Sequence, residues 1–420
     1  MNDLDFIISS HKMGEPRGVT SICSAHPFVL EAALRHGLAT HTPVLIETTP
    51  NQVNQLGGYT GLNPANFVRY VQTMADSVGF PRQNLLLGGD HLGPLVWSNE
   101  PAGAAMDKAK TLVREYVRAG FSKIHLDCSM PCADDRELPV ELIAQRAANL
   151  ARAAEEAALE HPSVLRYVIG SEVPPAGGAI SGETHLTVTT PADAAQTIEL
   201  TKRAFSVQGL DSAWERVFAL VVQPGVEFGD ETIHQYDRSA ARGLSGFIET
   251  VPGLIYEAHS TDYQTRAALR ELVEDHFGIL KVGPWLTFAF REAVFALAEM
   301  EEVLFETPSR MRETLEIAML TNPIHWIKHY GGDIKTQKFA RSFSFSDRIR
   351  YYWNTPQTLQ AFEHMLTNFG KTALPLALLS QYLPEQYKKV RGGVLTNHSR
   401  SLLLDRVMGV LGDYAFACRG

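Results

Sequence analysis

The 420 residues, 45% hydrophobic and 20% charged, fit a globular protein of barrel size with an extension. A net charge of −9 with no basic run leaves nothing to neutralise a phosphate backbone, which excludes nucleic acid as a partner. No apolar run approaches the roughly 20 residues a membrane span needs, and the start MNDLDFIISSHKMGEPRG has no basic-then-apolar pattern, so neither a span nor a signal peptide is expected.

In chain order, apolar β-rich runs alternate with helical stretches. Strands are expected at residues 21–26 (SICSAH) and 44–49 (VLIETT). A third, at 85–91, ends in Asp90 and His91 before Gly93 and Pro94 break it. Apolar residues at three- and four-residue spacing then mark a helix over 104–118. A fourth strand covers 123–127 (KIHLD), a helix 144–158 and a fifth strand 167–173 (YVIGSEV). The remaining three fall at 218–223 (FALVVQ), 255–260 (IYEAHS) and 279–283 (ILKVG). Eight strands alternating with helices imply parallel pairing and an α/β fold of the (β/α)₈ barrel type. A doubly wound open sheet is the rival, disfavoured because polar residues end most strands rather than gather near one switch point. Residues 1–295 read as the barrel and 296–420 as a mostly helical C-terminal extension packed on it. That extension opens with a helix at 303–320 and includes the aromatic residues Trp326, Tyr330, Tyr351, Tyr352 and Trp353.

Barrel enzymes keep their chemistry at the carboxyl ends of the strands. Alternation puts Lys123, His125 and Asp127 on one face of the fourth strand, with the apolar Ile124 and Leu126 on the other. His125 and Asp127 should therefore point inward. Glu172 closes the fifth strand before a Pro/Gly loop, and Gln223 closes the sixth. On the seventh, Glu257 and His259 share a face, and Ser260 and Thr261 follow where a helix should start. Hydroxyls and free N–H groups there suit an anion, although the same hydroxyls serve as ordinary caps. Lys281 and Gly283 end the eighth strand, completing the usual phosphate position of this architecture. Asp90, His91, Asp127, Glu172 and His259 together offer nitrogen and oxygen ligands without thiolate, which suits Zn²⁺, Mn²⁺, Co²⁺ or a similar divalent ion.

Other chemistries are disfavoured. There is no Gly-x-x-x-x-Gly-Lys-Ser/Thr run for a nucleotide-dependent kinase and no G-x-S-x-G elbow for a serine hydrolase. Cys128 and Cys132 lack a second pair for zinc, so with Cys23 and Cys418 they read as reduced thiols and the compartment as cytoplasm.

The stretches SAHP, NQVNQLGGYTG, GGDHLGP, FSKIHLD, VVQPGVEF, EAHSTDYQTR, LKVGP, SDRIRYYW and SQYLP resemble one family from about Ser24 to Cys418. It is the so-called non-catalytic subunit of D-tagatose-1,6-bisphosphate aldolase, also labelled tagatose-6-phosphate kinase, some of whose members are D-tagatose 6-phosphate 4-epimerases. The resemblance implies kinship with the metal-dependent class II aldolases. It places proton handling on Asp90 and Asp127. The metal would fall to His91, Glu172 and His259, with Gln223 where those aldolases supply a further His. Substrate and phosphate contacts would fall to His125, Ser260, Thr261, Lys281, Gly283 and, from SDRIRYYW, Arg348 and Arg350.

The expected activity is metal-dependent 4-epimerisation of a ketohexose 6-phosphate, by cleavage and re-formation of C3–C4. The alternatives are an accessory subunit of a separate class II aldolase and, weakest, a sugar kinase. Expected partners are the sugar phosphate and an aldolase subunit, with room for a homo-oligomer.

Overall fold

Eight parallel strands close into a barrel in the computed structural model, which describes residues 3–160, 164–171, 186–370 and 372–419. They are β1 (Val19–Ile22), β2 (Val44–Thr48), β3 (Leu85–Leu92), β4 (Lys123–Leu126), β5 (Arg166–Gly170), β6 (Val217–Val221), β7 (Ile255–Ala258) and β8 (Phe277–Val282). Each pairs with its neighbours in the chain, and β8 closes on β1 with Val19 opposite Ile279 and Ile22 opposite Val282.

All eight overlap runs expected from the sequence. Strand β1 starts at Val19 and ends at Ile22 rather than His26, because His26 is the cap of the next helix and Pro27 its first residue. Strand β5 ends at Gly170, whose φ of 84° turns the chain out of the ladder; residues 172 and 173 of that expected strand lie outside the described residues. The single helix expected over 303–320 is two, Pro284–Leu304 and Met311–Thr321. Pro308 between them cannot donate to a continuing helix, and Arg310 is left-handed at φ 54°.

Seven helices of nine residues or more among the described residues, from Pro27–Thr40 to Arg266–Glu274, follow the first seven strands and pack outside them. The eighth outer place, between those two helices, is taken by the C-terminal helix Ser399–Cys418. Its end is tied to the start of β1, where Gly18 N–H donates to the Cys418 carbonyl at 3.0 Å. The helix after β8, Pro284–Leu304, instead packs on Ser399–Cys418 and supports the smaller C-terminal helices. Among the described residues no helix is long and apolar enough to cross a membrane.

Two layers fill the lumen. Below lie Val19, Leu45, Val168, Ala219, Ile255 and Ile279, closed off by Leu4 and Ile7 of the N-terminal helix Asp3–Lys12. One step up, alternation replaces four of them with Ser21, Glu47, Glu257 and Lys281 on β1, β2, β7 and β8, joined by Lys123 from β4, all buried. The upper layer carries the charge.

Candidate functional site

Strict alternation would send Asp90 and His91 to opposite faces of β3. The chain escapes this because His91 has φ 51° and the pairing with β4 shifts between Gly89 and Leu92. Both side chains therefore enter the lumen. The glycines around them make room: a Cβ on Gly88 would lie 2.8 Å from the Glu47 side chain, and one on Gly93 1.7 Å from the Asp127 carbonyl oxygen.

Three imidazoles and a carboxylate converge there. The His91, His125 and His259 rings lie 4.6–5.3 Å apart between centroids. His91 Nδ1 is 2.6 Å from Asp90 Oδ1, and His125 Nδ1 is 3.4 Å from the same oxygen. His125 Nε2 donates to the Gly170 carbonyl at 3.0 Å, which leaves its lone pair on Nδ1, where the His91 N–H approaches at 3.2 Å. Burial, with His91 and His259 alongside, lowers the His125 imidazole to about 3, so it is neutral near pH 7. Asp127 Oδ1 accepts from Ser129 N–H (2.9 Å) and Oγ–H (2.7 Å), while its Oδ2 stands 3.9 Å from His91 Nε2. Burial opposes ionisation of Asp127, but His91, His125 and Ser129 outweigh it and the carboxyl sits below its usual range.

A fully buried ion network supports the cluster from below. Lys123 Nζ bridges Glu47 at 2.6 Å and Glu257 at 2.7 Å, and Glu257 holds His259 Nε2 at 2.9 Å. Burial raises the Glu257 carboxyl, but Lys123 and then His259 more than reverse this. Lys281 contacts Asp90 and stands 3.8 Å from Glu47 and 3.6 Å from Glu257. Its amine is lowered by burial.

The cavity above this network is lined by Cys23, Gln52, Tyr59, Asp90, His91, Phe228, His259, Ser260, Asp262, Lys281, Gly283, Arg350 and Tyr351, among others. Of the residues singled out from sequence, it thus gathers Asp90, His91, His259, Ser260, Lys281, Gly283 and Arg350. His125 and Asp127 sit directly behind His91. Gln223 stays apart: its Oε1 accepts from Gly225 and Val226 N–H, capping the turn after β6. The Thr261 hydroxyl is likewise committed, donating to the Lys281 carbonyl at 2.6 Å and meeting Tyr414 Oη at 2.9 Å. Arg348 turns away and donates to the His325 carbonyl at 3.1 Å. Glu172 lies outside the described residues.

Arg350 reaches the cavity because its segment is clamped to the barrel. Asp347 takes Arg291 Nε at 2.8 Å and Thr287 Oγ at 2.6 Å, and Tyr263 Oη donates to the Phe345 carbonyl at 2.6 Å. Arg350 itself donates to the Ser346 and Asp347 carbonyls and to Tyr351 Oη at 3.0 Å. Burial alone would raise the Tyr351 phenol; Arg350 and Arg348 pull it below its usual value.

Among the residues the sequence reading missed are Glu47 in the ion network and Tyr351 and Asp262 in the cavity. Glu47 could have been found, since Leu45 and Glu47 alternate in VLIET with no polar partner between them. Tyr351 was noticed only as an aromatic. Asp262 follows Thr261 directly, but nothing local marks its role. Its Oδ1 accepts from Gly283 N–H at 3.0 Å and Trp285 N–H at 2.7 Å, and burial holds the carboxyl up at about 6 against those two donors.

The cluster suits a divalent cation. Ligand atoms of Asp90, His91, His125 and His259 lie within 4.8 Å of one another, and imidazole with carboxylate is a borderline donor set. Charge agrees: the four carboxylates of Glu47, Asp90, Asp127 and Glu257 face the two ammonium groups of Lys123 and Lys281, leaving two negative charges when all are ionised.

The family described as D-tagatose-1,6-bisphosphate aldolase subunit GatZ/KbaZ-like matches residues 4–419. A probable tagatose 6 phosphate kinase from Sinorhizobium meliloti 1021 is 45% identical, with a TM-score of 0.89 over 96% of this chain and 100% of that one. Fructose-bisphosphate aldolase from Campylobacter jejuni shares the fold at 12% identity, with a TM-score of 0.50 over 100% of this chain and 95% of that one.

Proposed function

Because the chain belongs to the D-tagatose-1,6-bisphosphate aldolase subunit GatZ/KbaZ-like family, we propose that it is itself an enzyme, a metal-dependent D-tagatose 6-phosphate 4-epimerase. One observation carries this reading: a buried, net-negative constellation of imidazoles and carboxylates opens onto a cavity. Desolvating charges costs several kcal/mol per ion unless geometry repays it, and a scaffold has no use for that expense.

His91 and His259 would hold the divalent ion, with Asp127 facing His91, and with His125, engaged at both ring nitrogens, packed behind it. When bound, the ion supplies Lewis-acid polarisation of the ketose carbonyl at C2. The proton belongs to Asp90, since it faces the cavity while Asp127 is held back by Ser129. Asp90 removes the C4 hydroxyl proton, the C3–C4 bond breaks, and its electrons pass to the C2 carbonyl as an enediolate. Glyceraldehyde 3-phosphate turns its other face, C3 attacks the aldehyde, and Asp90 returns the proton to the new C4 hydroxyl. Lys281, against Asp90, offsets the carboxylate's charge before the first transfer and again after the second. Arg350 is placed to take the phosphate, as its planar fork donates two parallel hydrogen bonds to such groups.

The family description itself supports a second reading, an accessory subunit paired with a class II aldolase. The purified chain, assayed alone with and without added Zn²⁺, Mn²⁺ or Co²⁺, decides between them. Formation of fructose 6-phosphate from tagatose 6-phosphate is expected. A protein that binds metal, stays folded and yields no product, yet activates an added aldolase, would leave only the accessory role.

A further inference from the structure

In this architecture the loops after strands seven and eight and the helix that follows commonly bind phosphate through backbone N–H groups. Here the groups after strand eight are already spent. Gly283 and Trp285 N–H both donate to Asp262, Pro284 has none, and Leu286 N–H donates to the Gly283 carbonyl at 3.1 Å. The Thr261 hydroxyl is turned to the Lys281 carbonyl. Asp262 is 2% exposed and lines the cavity beside Ser260, Lys281 and Gly283. A phosphate entering this end would have to displace a carboxylate from two hydrogen bonds and then lie against its negative charge at low dielectric. A neutral hydroxyl meets no such barrier and can donate to the carboxylate. In the same cavity the Arg350 guanidinium, whose charge is felt at Asp262, hydrogen-bonds neutral oxygens among the described residues, those of Ser346, Asp347 and Tyr351.

We propose that Asp262 is a specificity-determining residue that bars anionic groups from the β7–β8 end of the cavity, so the substrate lies there with an uncharged terminal hydroxyl. The cavity thereby selects a ketose monophosphate, phosphorylated at the end remote from its carbonyl, over a bisphosphate. This rests on the sugar-phosphate reading above and adds which end of the cavity takes the unphosphorylated end of the sugar, and the residue that sets it.

The test is equilibrium binding by calorimetry on the full chain, comparing wild type, Asp262→Ser and Asp262→Asn. The probes are inorganic phosphate, fructose 6-phosphate and fructose 1,6-bisphosphate. Asp262→Ser frees two N–H groups; it should bind inorganic phosphate at least about tenfold more tightly and narrow the preference for monophosphate over bisphosphate by a similar factor, about 1.4 kcal/mol. Unchanged phosphate affinity in a folded Asp262→Ser protein would overturn the assignment. Should that variant fail to fold, Asp262→Asn, which removes the charge and keeps an acceptor for the helix, decides by the same comparison. A gain of phosphate binding with no binding of either sugar phosphate by the wild type would uphold the role of Asp262 and refute the sugar-phosphate function.

Discussion

The two layers of the lumen share β1, β2, β7 and β8, where they lie two residues apart, and differ in almost every physical respect. Leu45, Ile255 and Ile279 below are replaced by Glu47, Glu257 and Lys281 above. The lower layer excludes water and needs only shape and volume. The upper layer has burial without oil: each charge is held by an opposite charge, so the loss of one partner strands another. The comparison teaches that burial here separates into two purposes, stability at the plugged end and chemistry at the open one.

The sharpest way to break this division is to remove the imidazoles. His91→Ala and His259→Ala should each lose bound metal and turnover together while keeping the fold, checked by elemental analysis and circular dichroism. Normal metal content and full activity in either variant would show the ligand set to be wrong. Next comes Lys123→Met, which leaves Glu47 and Glu257 without their shared cation. Breaking a buried pair this way costs about 3–5 kcal/mol, and urea unfolding should show the loss, with turnover falling as His259 loses its fixed partner.

The lower layer predicts the opposite pattern. Ile279→Ala opens a cavity next to the plug and should cost about 2–5 kcal/mol of stability, while turnover per folded molecule stays near wild type. A large drop in turnover there would mean that the layers are coupled. The smallest effect belongs to Thr261→Val. Its hydroxyl serves the β8 backbone, so the loss should be about 0.5–1.5 kcal/mol of stability, with no weakening of inorganic phosphate binding.

The barrel was legible because its signals are local: apolar runs of strand length, helices of matching period and polar residues at strand ends. The Asp90–His91 pair also stood out. What the sequence could not convey was how two adjacent residues enter one lumen, since that depends on the left-handed backbone at His91 and a register shift with β4. Alternation placed His125 inward correctly but could not say that it joins the other imidazoles. Gln223 and Thr261 look like site residues at strand ends, but a local turn engages the oxygen of the first and a tertiary hydrogen bond that of the second. Asp262 was invisible for the converse reason, since its partners lie 21 and 23 residues further along the chain. The break in the 303–320 helix was readable at Pro308, where apolar spacing on either side masked it.

The central claim is that this chain, unaided, breaks and remakes the C3–C4 bond of a ketohexose 6-phosphate. Labelled dihydroxyacetone incubated with the metal-loaded protein and tagatose 6-phosphate tests it directly. The account predicts label entering C1–C3 of the recovered tagatose and fructose 6-phosphates, and its slow loss from both on a chase with unlabelled dihydroxyacetone. Epimerisation with no label incorporated, together with a large primary isotope effect from deuterium at C4, would contradict it.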